Sequence, residues 1–242
     1  MSVLAGLTVL TLALGILPAL IKTYSIDLKD LLKAFTGGVL IYYIGSTLAD
    51  LVNGARNLIL NTGQGTVFVG NTILFCAAIL IGLIAGPLFV IFVLKQKNVP
   101  YLMAMAFGLI NLSFAFALNE DVSSGVLALG AVTLVLLVIR YILEGLALSS
   151  STFDGEFEIK DFYVILAIVA LPAVLGLFFA SSSATTFINP FIQSLAVGLL
   201  VYALPRFIFD PSAGQKQYRF LGLIAGMGVA SIVEIAATLI GR

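Results

Sequence analysis

Apolar stretches long enough to cross a bilayer recur from one end of this chain to the other, and nothing constrains its fold more. A helix needs ~20 mostly apolar residues to span the hydrocarbon core. Eight segments qualify: Val3–Ile21, Leu31–Leu51, Asn71–Leu94, Val99–Leu118, Val122–Ser150, Phe162–Ala180, Phe191–Phe209 and Phe220–Ile240. Backbone groups in hydrocarbon have no water to bond, so each segment must satisfy itself as a helix. Only 10% of the 242 residues are charged, against about 25% in a soluble domain. The expected fold class is therefore an all-α integral membrane protein of eight transmembrane helices, with the lipid bilayer as its main partner. The first run has no basic segment before it and reads as a retained helix, not a cleaved signal.

Short polar breaks separate the runs. They are KTYSIDLKD, NGARNLILNTGQG, KQKNVP, NED, STFDGEFEIKD, SSSATTFINP and DPSAGQKQYR. Such short connections predict one transmembrane domain over 1–242, made of helices one to three (1–94), four and five (99–150), and six to eight (162–242). The fifth run is long for a single span and predicts a tilted or projecting helix. Orientation follows from the basic residues. With the N-terminus outside, the cytoplasmic segments hold Lys22, Lys29, Lys33, Lys95, Lys97, Lys160, Arg206, Lys216 and Arg219, while the outside holds only Arg56 and Arg242. This positive-inside bias predicts a multi-pass protein of the cell membrane with both termini extracytoplasmic.

The composition also narrows the chemistry. The chain has no histidine, which excludes a bis-histidine haem site, a histidine zinc centre and a histidine proton switch made from this chain alone. No cofactor is expected. The single cysteine, Cys76, excludes an intrachain disulfide. The formal net charge of zero gives no reason to expect a nucleic-acid partner. There is no HExxH motif and no GxSxG elbow. A Ser-Lys dyad needs a buried lysine, and every lysine falls at a segment boundary. The chain is not expected to be an enzyme.

Inside the apolar runs one pair of charges stands out. Arg140 and Glu144 lie one helical turn apart in AVTLVLLVIRYILEGLALSS. A charge at membrane depth costs ~2.5–3.5 kcal/mol even on the lenient insertion scale. The i,i+4 spacing puts both side chains on one face, so that each can neutralise the other. Glu234 in the eighth run has Ser231 and Thr238 one turn before and after it. It reads either as a relay for a cation or proton, or as a partner for Arg140 or a polar neighbour. Gln193 and Ser113 suit either a polar path or plain interhelical hydrogen bonds. Asp50 and Asp210 read as pore-mouth residues or as solvated helix ends.

An internal echo is also present. Gly38-Val-Leu-Ile-Tyr42 resembles Gly198-Leu-Leu-Val-Tyr202, and an aspartate, Asp50 or Asp210, follows each glycine at the same spacing. By the orientation above, the two runs cross the membrane in opposite directions, as an inverted repeat requires. Two GxxxG patterns, Gly82 to Gly86 and Gly222 to Gly226, predict close helix crossings. Pro87, Pro172 and Pro205 interrupt runs three, six and seven.

Placed in register, Ile110-Asn111-x-x-Phe114-Ala115 of run four matches Arg140-Tyr141-x-x-Glu144-Gly145 of run five. These segments, with AFTGGVLIYYIGSTLAD, SLAVGLLVYALPRF and TLALGILPAL, resemble the ZIP (Zrt/Irt-like) metal-transporter family. The resemblance implies a 3+2+3 arrangement with an inverted repeat and a transport site between helices four and five. It departs from the family at the metal ligands. Asn111 and Glu144 remain, but Ile110 and Arg140 stand at the histidine positions. Phe114 stands at the helix-four carboxylate, and Tyr141 at a second helix-five ligand. A divalent cation wants several oxygen or imidazole donors, and a permanently protonated guanidinium repels it. Arg140 then takes the place of the metal. If any metal binds, Glu144 and Asn111 are its candidate ligands.

Three functions follow. The first is a ZIP-like carrier of a small solute or ion, with Arg140 and Glu144 as gate or substrate contacts and an anionic or zwitterionic solute favoured if Arg140 is freed. The second is a non-transporting anchor subunit of a larger membrane complex. The third is a divalent-cation carrier using Glu144, Asn111 and Glu234. A homodimer or a membrane-complex partner fits any of them.

Overall fold

The computed structural model describes residues 2–21, 24–61, 66–94, 99–123, 131–153, 157–179, 182–208 and 216–240. Eight long helices account for nearly all of them: α1 (Ser2–Ile16), α2 (Ile26–Asn61), α3 (Thr66–Phe89), α4 (Val99–Ser123), α5 (Ala131–Ser151), α6 (Ile159–Phe179), α7 (Ser182–Ala203) and α8 (Lys216–Ile240). Each contains a stretch long and apolar enough to cross a membrane. The chain is an all-α polytopic membrane protein. Large apolar side chains such as Ile81, Ile84, Phe220 and Ile232 stay exposed on the outer faces. Hydrocarbon replaces water there, so their exposure carries no hydrophobic penalty.

The element boundaries differ from the sequence expectation at several places. The segments NGARNLILN, NED and most of SSSATTFINP, expected as breaks, are helical. So are Lys216 to Arg219, ahead of the expected start of the eighth run. A helix keeps its backbone bonded whether it lies in lipid or projects into water, so polar side chains alone do not end it. At 36 residues, α2 is about 54 Å long and outreaches the ~30 Å hydrocarbon core. Val122 and Ser123, expected at the start of the fifth run, belong to α4, and α5 is described from Ala131. Lys33, expected at a boundary, is buried at 8% exposure. It lies one turn before Thr36, whose hydroxyl meets that of Ser150 at 2.6 Å where α2 and α5 pack.

The prolines act in different ways. Pro172 and Pro190 sit inside continuous helices. Pro87 lies inside α3 just before a π-helical stretch, Val90–Leu94; a missing N–H disturbs the bonding ladder in this way. Pro205 starts a short separate helix, Pro205–Ile208, after α7 ends. Near the N-terminus, Pro18 lies in the 3₁₀ turn Leu17–Leu20 that closes α1.

The most extensive helix contacts pair α2 with α8, α3 with α7, α4 with α6 and α1 with α5. Together with the α1–α6 and α2–α7 contacts, they outline two groups, α1/α4/α5/α6 and α2/α3/α7/α8, which are joined closely where α4 packs on α7. Exchanging α1 with α6, α2 with α7, α3 with α8 and α4 with α5 maps most of these pairs onto one another. Among the described residues, the α5–α8 and α2–α3 contacts have no counterpart of similar extent. The helices α2 and α7 run antiparallel: Gly37 faces Phe207, whereas Asp50, farther along α2, shares a cavity with Gln193 near the start of α7.

Glycine sets two close crossings, α2 on α8 and α3 on α7. A Cβ on Gly38 or on Gly226 would collide with the backbone of the facing helix, α8 or α2. At the other crossing, a Cβ on Gly86 would lie 2.9 Å from the Leu199 nitrogen, and one on Gly198 would lie 2.9 Å from the Leu83 carbonyl oxygen. Both GxxxG patterns thus do what their spacing predicts: one packs on the glycine of the Gly38 segment, the other on the glycine of the Gly198 segment.

Candidate functional site

In the middle of the bundle, Glu144 is fully buried at 0% exposure. Its carboxylate accepts three hydrogen bonds from three helices. Tyr43 of α2 donates its hydroxyl to Oε1 at 2.9 Å, Asn111 of α4 donates Nδ2 to Oε2 at 2.7 Å, and Arg140 of α5 donates Nε to Oε1 at 3.2 Å. A carboxylate surrounded only by donors suits its ionised, acceptor-only form, and the charge of Arg140 balances it. The order Arg before Glu is the less favourable one along a helix; burial and the two cross-helix donors fix the geometry. Gly145 helps to place Glu144, because a Cβ there would lie 2.6 Å from the Gly15 Cα of α1.

The guanidinium of Arg140 is held by aromatic faces as well. Its Cζ lies 3.9 Å from the ring centroid of Phe114 and 5.6 Å from that of Tyr43. Both are within cation–π range. Tyr43 is braced in turn by an edge contact with Phe107, ring centroids 5.7 Å apart. Phe114 occupies the position where the family resemblance implies a carboxylate, so the exchange of acid for ring suits a guanidinium rather than a metal. Asn111 is 0% exposed, and among the described residues its Oδ1 has no hydrogen-bond partner.

Beside this pair lies a cavity of about 150 Å³. Arg140, Asp50, Glu234 and Gln193 reach it from α5, α2, α8 and α7, and Ser113 and Phe114 reach it from α4. Gln193 donates Nε2 to the Ser113 hydroxyl at 2.8 Å, so these two both bond across helices and line the cavity. Ser231 is turned away, since its hydroxyl donates to the Met227 carbonyl of its own helix at 2.7 Å. Asp50 is an exposed residue at the cavity's edge. Asp210 lies outside the described residues.

The structure therefore brings together Asn111, Arg140, Glu144, Glu234, Gln193, Ser113 and Asp50. Sequence reasoning missed Tyr43 and the role of Phe114. Tyr43 directly follows the Gly38–Tyr42 echo segment, but nothing in the sequence ties it to a residue 101 positions away.

The donor set around Glu144 does not fit a divalent cation. The amide nitrogen of Asn111 and both oxygens of Glu144 are committed to hydrogen bonds, and a guanidinium sits on the carboxylate. Among the described residues, no group of three or more His, Cys, Asp or Glu side chains is placed to hold a metal ion.

Elsewhere in the bundle an apolar groove of about 670 Å³ runs between α3, α4, α6 and α7. Leu88, Phe89, Met105, Leu109 and Pro172 are among its walls. It carries none of the charged groups of the cavity.

Comparison with protein-family models and with curated proteins finds no match.

Proposed function

We propose that this protein is a membrane transporter on a ZIP-like scaffold, moving a small solute or ion, with the Arg140–Glu144 pair in place of the usual metal centre. One observation carries the reading: polar and charged side chains from five helices converge on one cavity inside an otherwise apolar bundle. Ionisable groups at membrane depth are costly, and they mark solute or ion pathways by default.

The packing supports the scaffold. The pairs α2–α8 and α3–α7, α4–α6 and α5–α1, and α4–α7 and α5–α2 exchange as an inverted repeat demands. The Gly38 and Gly198 segments hold equivalent places at the two glycine crossings. The cavity is bounded by α4 and α5 of one helix group and by α2, α7 and α8 of the other. Relative movement of the groups would expose it to one side of the membrane and then the other. The Arg140–Glu144–Tyr43 contact bridges the groups and acts as their latch. In this reading the protein lies in the cell membrane with both termini extracytoplasmic.

Flux into liposomes tests the proposal, using a panel of small cations, anions and zwitterions. Transport of at least one solute is expected, reduced tenfold or more by Glu144→Gln and altered in rate by Arg140→Ala. Absence of flux for every solute, with a stable membrane partner co-purifying, would replace the carrier with an anchor subunit.

A further inference from the structure

The Arg140 guanidinium marks the kind of guest the site is built to hold. A carboxylate, Glu144, grips its edge, and two ring faces, Phe114 and Tyr43, flank it. A carboxylate with aromatic faces is the arrangement by which proteins recognise organic cations. The neighbouring space adds charge of the same sign. Two more carboxylates, Asp50 and Glu234, line the cavity next to Arg140. Arg140 thus lines the cavity together with two carboxylates, with Glu144 buried behind it. The cavity, about 150 Å³, has room for roughly ten water molecules or one solute of a few heavy atoms. The unpartnered Oδ1 of Asn111, fully buried behind the pair, adds an acceptor rather than a donor.

We propose that the cavity beside Arg140 binds a small organic cation of the guanidinium or alkylammonium type, which exchanges with the Arg140 side chain on the Glu144–Phe114 seat. Arg140 is then a tethered competitor that fills the seat when no guest is present. An anion finds no spare cation here, because Arg140 is engaged with Glu144 and both rings. Among the described residues, a divalent metal finds no group of three or more His, Cys, Asp or Glu side chains placed to hold it. The proposal rests on the transporter reading for its purpose, but binding and transport are measured separately.

The experiment uses the full chain in lipid nanodiscs, with methylguanidinium as the probe and urea as a neutral guest of similar shape. Binding is read by calorimetry and by thermal stability. Wild-type protein should bind methylguanidinium saturably in the millimolar range and should ignore urea. Arg140→Ala vacates the seat and should tighten binding at least tenfold. Adding Phe114→Leu to that variant should weaken binding again at least threefold.

The proposal is overturned if the wild type shows no saturable binding, if urea binds as well as methylguanidinium, or if Arg140→Ala brings no gain. It is also overturned if zinc or cadmium binds stoichiometrically while methylguanidinium does not. Should Arg140→Ala fail to fold, the wild-type comparison with urea decides alone. Saturable binding without flux in liposomes keeps the site and removes the transporter. Flux of some solute without organic-cation binding does the reverse.

Discussion

The side of the bundle where α5 meets α8 and the side where α3 faces α4 rest on matching helix crossings yet enclose opposite kinds of space. On the first, the helices close around a polar cavity of about 150 Å³ that holds Arg140, Asp50 and Glu234. On the second, the corresponding contact between α3 and α4 is slight at most among the described residues, and an apolar groove of about 670 Å³ remains. The glycine crossings that set the framework recur on both sides. The lining side chains do not. Backbone approach in a membrane depends on small residues and tolerates little change, whereas lining residues vary without unmaking the helices. The chemistry of this protein therefore sits where its two halves differ, and its architecture where they agree.

Substitutions can break or sharpen that contrast. The largest effect belongs to the polar side. Glu144→Ala leaves the Arg140 charge buried without its partner and is expected to destabilise the protein by about 3–5 kcal/mol. The double variant Arg140→Met/Glu144→Leu removes both charges and should recover most of that loss. Unfolding midpoints in detergent measure both, and equal losses in the single and double variants would show that the pair does not act as a unit.

Next come the crossings. Gly38→Leu and Gly198→Leu each force a side chain into the backbone of a facing helix and should cost about 1–3 kcal/mol or more. Comparable losses at the two sites are expected from matching crossings. A loss confined to one site would weaken the correspondence between the halves.

Tyr43→Phe removes one of three donors to a buried carboxylate and should cost about 1–2 kcal/mol in the same assay. No measurable loss would mean that Asn111 and Arg140 alone satisfy Glu144.

The smallest effect is expected at the apolar groove. Leu88 is 44% exposed at its wall, so Leu88→Ala should change stability by about 0.5 kcal/mol or less. A drop of several kcal/mol would mean that the groove is closed by something that Leu88 grips.

Several parts of this were legible in the chain. The Arg140–Glu144 contact follows from i,i+4 spacing, because a helix fixes which side chains meet one turn apart. That Asn111 and Glu144 belong to one site was implied by the family resemblance alone, since the match between the fourth and fifth runs aligns Asn111 with Tyr141. The close crossings at Gly82–Gly86 and Gly222–Gly226 followed from their spacing, though not which helix each would meet. The ends of the runs were poorly legible. Asn53, Gly54 and Arg56 read as a loop but continue α2, because polarity reports where lipid ends and not where hydrogen bonding stops. Phe114 read only as the loss of a ligand, and its hold on the guanidinium emerged from the distance between α4 and α5.

By itself the sequence determined that the chain must cross a membrane as helices, roughly where each crosses, and that one of them carries a buried ion pair. Those outcomes follow from the cost of unbonded backbone and of bare charge in hydrocarbon, which act on each segment locally. Tertiary structure decided which helices share a cavity, and so brought Tyr43 to Glu144 and Asp50 and Glu234 to the side of Arg140. That choice depends on how glycine-lined helices far apart in the chain fit together, and no single segment carries that information.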